Sequence, residues 1–104
     1  MTYENISPSE AKSRMDANPE AVIVDVRRPD EFVTGHIPGA INVPLADIQD
    51  GNIPPRIADK NAVYLIYCRS GVRSVTAAVT LEKMGYTRLA NFGGILDWPY
   101  EIEH

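Results

Sequence analysis

The chemistry this sequence can perform is concentrated in one stretch, Cys68-Arg69-Ser70-Gly71-Val72-Arg73-Ser74. A cysteine is a nucleophile only as the thiolate, and an ordinary free thiol, with a pKa near ~8.5, is mostly protonated at neutral pH. The residues that follow Cys68 are of the kinds that change this. Gly71 relaxes the backbone so that successive NH groups can converge on the sulfur, and a helix starting behind it adds the partial positive charge of its N-terminus. Arg69 and Arg73 favour the thiolate and offer planar donors to an incoming oxyanion. Cys68 is therefore the candidate nucleophile, and Arg69, Ser70, Gly71, Val72, Arg73 and Ser74 form a candidate substrate-binding cradle. Arg73 is the stronger of the two arginines, because a cation in a first helical turn opposes the dipole and needs a compensating anion. The competing reading is an inert thiol at the end of a core strand, since cysteine is often buried. Two arginines and a glycine within the next five residues argue against it. A cysteine–histidine pair is disfavoured: the two histidines are His36 and His104, the second being the final residue.

Composition bounds the rest. The 104 residues are 44% hydrophobic and 23% charged, which suits one globular domain over residues 1–104 burying roughly two-thirds of its extended surface. Ten Lys and Arg against 14 Asp and Glu give a net charge of -4. That excludes a bulk electrostatic grip on nucleic acid or anionic lipid, so an anion site has to be local. The longest apolar run, Ala62 to Cys68, falls far short of the ~20 residues that span a bilayer, and Met1 to Glu10 has no signal-peptide pattern. A soluble, cytoplasmic protein without membrane contact is expected. One cysteine closes no disulfide within the chain and is too few thiols for structural zinc, so neither metal nor cofactor is expected.

The elements that must position Cys68 alternate along the chain. Ser7, Pro8 and Glu10 read as a capping box opening a helix to about Ala17. Ala21 to Val26 is β-branched and apolar on both faces, as in a parallel strand covered by helices. Ala40 to Val43 predicts a short strand, Pro44 to Ala58 a Pro-rich connection able to hold a helical turn, and Ala62 to Tyr67 a second strong strand. Val72 to Met84 predicts a helix with apolar positions Val72, Val75, Ala78, Val79 and Leu81, capped by Gly85 in the left-handed conformation. Arg88 to Phe92 predicts the last strand, and Ile95 to Tyr100 a short helix interrupted by Pro99. The pattern is α/β: three layers, a mainly parallel central sheet flanked by helices, and right-handed crossovers. Ligands in such sheets bind beyond the carboxyl ends of the strands, where Asp25 and Cys68 fall.

Other polar candidates read as structural. Asp25 beside a thiolate would raise its pKa, so it is expected to be a buried acid that accepts NH or arginine bonds and supports the loop. Arg27 and Glu31 are expected to pair across the turn at Pro29. His36 lies in Gly35-His36-Ile37-Pro38-Gly39, where its ring bonds backbone rather than serving catalysis. Gly93-Gly94 reads as a close-approach turn. Trp98 reads as a packing anchor, or else as a wall of the substrate entrance. Tyr64 and Tyr67 are expected to pack.

Three segments together carry a family resemblance: Asp25-Val26-Arg27 with Glu31-Phe32 and Gly35 to Pro44; the loop Cys68 to Arg73; and Gly93 to Trp98. From about Ile6 to Trp98 the sequence resembles the rhodanese-like sulfurtransferases. The resemblance implies a three-layer α/β domain and a cysteine that cycles through a persulfide, taking a sulfane sulfur from a donor such as thiosulfate and passing it to cyanide or a thiol. The implied partners are a small-molecule sulfur donor and acceptor, or a protein or thiol acceptor; the sequence does not determine the oligomeric state. A persulfide carrier without thiosulfate turnover would use the same cysteine. Phosphatases and arsenate reductases of related fold are a further alternative, but they carry five residues between cysteine and arginine where this chain has four. The smaller ring of NH groups suits one sulfur atom better than a tetrahedral phosphate.

Overall fold

In the computed structural model, which describes residues 3–104, the chain runs β1 (Tyr3–Asn5), α1 (Pro8–Ala17), β2 (Val22–Asp25), α2 (Pro29–Phe32), β3 (Ile41–Asn42), α3 (Leu45–Gln49), β4 (Tyr64–Cys68), α4 (Val72–Lys83) and β5 (Leu89–Gly94). Short 3-10 turns lie at Pro55–Ile57 and Ile95–Asp97. Met1 and Thr2, the start of the stretch read for a signal peptide, lie outside the described residues. No helix among the described residues is long and apolar enough to cross a membrane.

The five strands form one sheet in the order β1-β5-β4-β2-β3, every pairing parallel. All five residues of β4 are buried because both faces of the sheet are covered. Alternation along the strand sends Tyr64, Ile66 and Cys68 into a cluster with Ile48 of α3 and Ala77, Ala78 and Leu81 of α4. Leu65 and Tyr67 point the other way, against Ala11 of α1, Phe92 and Trp98. The expected three-layer α/β architecture is the one observed.

Local chemistry explains most element ends. The Ser7 hydroxyl accepts the Glu10 N–H at 3.1 Å, with Pro8 in the first turn of α1. The reciprocal half of the capping box does not form, because the Glu10 carboxylate accepts from Arg14 Nε at 2.9 Å instead. Gly85 follows α4 at φ +99°, as expected.

Two short elements lie outside the expected set, and three expectations are corrected. The polar segment Tyr3–Asn5 becomes a strand because β5 offers it a parallel edge, and the turn expected at Pro29 is a short helix, Pro29–Phe32. Along α4 the buried stripe is Ser74, Ala77, Ala78 and Leu81, spaced i, i+3, i+4 and i+7, so Val72 faces solvent. The helix expected over Ile95 to Tyr100 is only a 3-10 turn: Trp98 is extended (φ -80°, ψ 113°), as the residue before a proline tends to be. The expected strand Arg88 to Phe92 runs on to Gly94.

Candidate functional site

Cys68 ends β4 with its side chain on the α4 face and is 1% exposed. The chain then turns through Arg69 and Ser70 to Gly71, whose φ of +102° aims its N–H back at the sulfur, 3.0 Å from Sγ. Ser74, in the first turn of α4 and fully buried, places its hydroxyl 3.4 Å from Sγ and within reach of the Gly71 and Gly93 carbonyls at 3.2 and 3.4 Å. Burial alone would push the Cys68 thiol up. The Ser74 hydroxyl and the backbone NH groups of Ser74, Gly71 and Ser70 outweigh it, and the net effect is a thiol below its ordinary value.

The arginines are arranged differently from expectation. Arg73 donates from Nη1 and Nη2 to the Glu31 carboxylate at 2.6 and 3.0 Å, a bidentate pair that is the compensating anion its helix position called for. Arg73 drives the Glu31 carboxyl down to about 2 against the opposing effect of burial. The Arg73 guanidinium is in turn raised chiefly by Glu31 and in smaller part by Cys68. Arg69 is exposed and has no side-chain hydrogen bond or ion pair among the described residues.

Because Glu31 is taken by Arg73, the expected Arg27–Glu31 pair does not form. Arg27 turns inward to Asp25, with Nε 3.0 Å and Nη2 2.7 Å from its oxygens, and Nη2 also donates to the Gly35 carbonyl at 2.7 Å. Asp25 is 0% exposed, and a carboxylate taken out of water needs this counter-charge. The expected buried acid is thus observed, but it braces the Gly35 turn: β2 register places Asp25 beside Tyr67, on the face opposite Cys68. Tyr67 packs as expected and its hydroxyl also accepts the Ile37 N–H at 3.0 Å. The His36 ring stacks on Phe32 with centroids 3.9 Å apart, and Nδ1 lies 3.2 Å from the Phe32 carbonyl oxygen, so it does bond backbone. Its Nε2 also lies 3.3 Å from Glu103, a contact no local pattern announced.

Behind the loop, β5 carries one extra residue: Ile66 pairs with Asn91, but Cys68 pairs with Gly94. Asn91, missed in the sequence, holds this bulge by accepting the Gly93 N–H on Oδ1 at 3.1 Å and donating to Asn5 Oδ1 at 3.0 Å. The loop lies directly on it. A Cβ at Gly94 would sit 2.1 Å from the Arg69 carbonyl oxygen, so the close approach expected at Gly93-Gly94 is observed at a strand end rather than a turn. Trp98 is 8% exposed, donates Nε1–H to the Glu101 carbonyl at 3.1 Å and packs on Phe92, on the side of the sheet away from Sγ. It is an anchor, not an entrance wall. A cavity of about 880 Å³ beside it, lined by Met15, Ile23, Ile37 and Tyr100 among others, receives nothing from the Cys68 loop.

Comparison with known proteins points in the direction of this geometry. Residues 7–100 match the family model of the rhodanese-like domain. The chain is 39% identical over 74 residues to thiosulfate sulfurtransferase PspE of Escherichia coli K12, covering 71% of this chain and 70% of that protein. It is 42% identical over 94 residues to a sulfurtransferase of Allochromatium vinosum, covering 86% and 83%. The crystal structure of a rhodanese-like domain protein from Staphylococcus aureus aligns with a TM-score of 0.81 and 33% identity over 96% of both chains.

Proposed function

The chain belongs to the rhodanese-like domain family and is a sulfurtransferase of that type, and from that premise we propose that Cys68 carries a sulfane sulfur from a donor such as thiosulfate to cyanide or a thiol. The observation that supports this most directly is the Gly71 N–H at 3.0 Å and the Ser74 hydroxyl at 3.4 Å from a sulfur they help to ionise. The Cys68 thiolate attacks the outer sulfur of thiosulfate. A sulfur–sulfur bond forms on Sγ, the one to the sulfonate breaks, and the electron pair leaves with sulfite. The resulting persulfide anion gains from preorganised NH donors as the thiolate did. Cyanide then attacks the outer sulfur, thiocyanate departs and the thiolate returns. Arg73, fixed by Glu31 through two of its five N–H groups, keeps three for the sulfonate oxygens, and Arg69 approaches them from solvent.

Intact mass after incubation with thiosulfate tests the proposal. The wild-type chain is expected to gain one sulfur atom and to lose it to cyanide with release of thiocyanate, while Cys68→Ser gains none. Sulfur accepted from a protein persulfide without thiosulfate turnover would make the chain a carrier. Turnover of an aryl phosphate without any gain in mass would make it a phosphatase.

A further inference from the structure

Four large apolar side chains are exposed among the described residues: Val33, Val72, Leu96 and Tyr100. Scattered singly, such residues need no explanation. Three of these four, however, come from three separate elements that meet around the Cys68 loop. Val72, 73% exposed, directly follows the Gly71 whose N–H reaches Sγ. Leu96, 63% exposed, is held against the loop by its own N–H, which donates to the Arg69 carbonyl at 3.2 Å. Val33, 70% exposed, caps the C-terminus of α2, which the Glu31–Arg73 bonds fasten to the first turn of α4. Charge on this face is also distinctive. Arg28 and Arg73 are matched by Asp30 and Glu31, leaving Arg69 as a cation without an ion pair on a molecule of net charge -4.

An anion such as thiosulfate or cyanide needs the NH groups of the loop and gains nothing from an apolar rim. A polypeptide gains from both. We propose that Val33, Val72, Leu96 and Arg69 form a docking face for a protein sulfur acceptor: a segment that presents a cysteine thiol between apolar side chains, with an acidic side chain to meet Arg69. A second copy of this chain fits less well, because the carboxylates of the same face, Asp30 and Glu31, are already held by Arg28 and Arg73 and leave none to meet Arg69. The inference rests on Cys68 being the sulfur-bearing atom. The thiolate of the partner attacks the outer sulfur of the Cys68 persulfide, the bond from that sulfur to Sγ breaks, and Cys68 recovers its thiolate. The partner leaves as a persulfide. Charge balances, and no oxidant or reductant is consumed.

The test uses two short synthetic peptides with the same central cysteine, one flanked by leucines and an aspartate, the other by serines and a lysine. Each accepts sulfur from the thiosulfate-loaded full chain, and cyanide serves as the small acceptor. The leucine–aspartate peptide is expected to show a kcat/KM about tenfold above that of its counterpart. In the Val33→Ser/Leu96→Ser double variant that advantage should largely vanish, with cyanide turnover within about twofold of wild type. Since both peptides meet both proteins, differences in intrinsic thiol reactivity cancel. Equal loss of peptide preference and cyanide turnover in the variant, or no change in preference with cyanide turnover intact, overturns the docking face and leaves the sulfurtransferase standing. Failure of the wild type to take sulfur from thiosulfate at all overturns the proposed use of Cys68 instead.

Discussion

At Cys68, burial opposes ionisation and hydrogen bonding favours it, and the direction of the net shift makes hydrogen bonding the larger effect. The donors responsible are short-range and fixed. Ser74 is fully buried in α4, and Gly71 is locked in the left-handed region. Replacing the hydroxyl should therefore matter more than changing surface charge. Ser74→Ala is expected to move the thiolate absorbance transition to higher pH and so to lower the ionised fraction at neutral pH. Persulfide formation from thiosulfate at pH 7 should slow in proportion, while Ser74→Thr, which keeps a hydroxyl, restores both. Coincident titration curves for wild type and Ser74→Ala would show that the hydroxyl is only a helix-packing group.

Among the elements, the bulge in β5 shapes the floor of the site. One extra residue between Asn91 and Gly94 brings the glycine backbone under Arg69 and Ser70, so the loop has a floor with no side chain in it. Gly94 has an ordinary extended backbone (φ -125°), and the objection to a side chain there is purely steric. Gly94→Ala must lift the Arg69 carbonyl away from a Cβ that would otherwise lie 2.1 Å from it. Because a displacement of about 1 Å at reacting groups can cost about a hundredfold in rate, sulfur uptake from thiosulfate by this variant is expected to fall by about that factor. Stopped-flow sulfite release would measure it, and a wild-type rate would mean that the loop tolerates the shift.

Over the whole molecule, acid stability depends on carboxylates paired with arginine. Arg73 holds Glu31 down at about 2. Arg14 lowers Glu4 and Arg28 lowers Asp30, in more exposed settings that contribute little. A carboxyl whose folded pKa lies below its unfolded value makes the unfolded chain the better proton binder on acidification. The stabilisation is therefore complete above the ordinary value of 4.5 and is lost as pH falls toward about 2. The melting temperature is expected to drop through that window. Glu31→Gln should melt lower at pH 7 and show a smaller acid drop, and parallel pH profiles for the two proteins would exclude the pair as the source.

The sequence alone specified what depends on neighbours along the chain: strands apolar on both faces, the Ser7 cap, the Gly85 stop, and a cysteine followed by a glycine turn and a helix. These rest on periodicity and on hydrogen bonds a few residues long, which the order of residues states directly. The tertiary structure decided the partners. Arg27 and Glu31, four apart, looked like a pair, but Glu31 bonds Arg73 from 42 residues away and Arg27 goes to Asp25, because a fully buried carboxylate requires the nearest cation. Likewise the pleat of β2 and β4 put Asp25 and Cys68 on opposite faces, and a polar N-terminal segment became a strand once β5 supplied an edge. Such choices are made by burial and by competition among groups that only folding brings together.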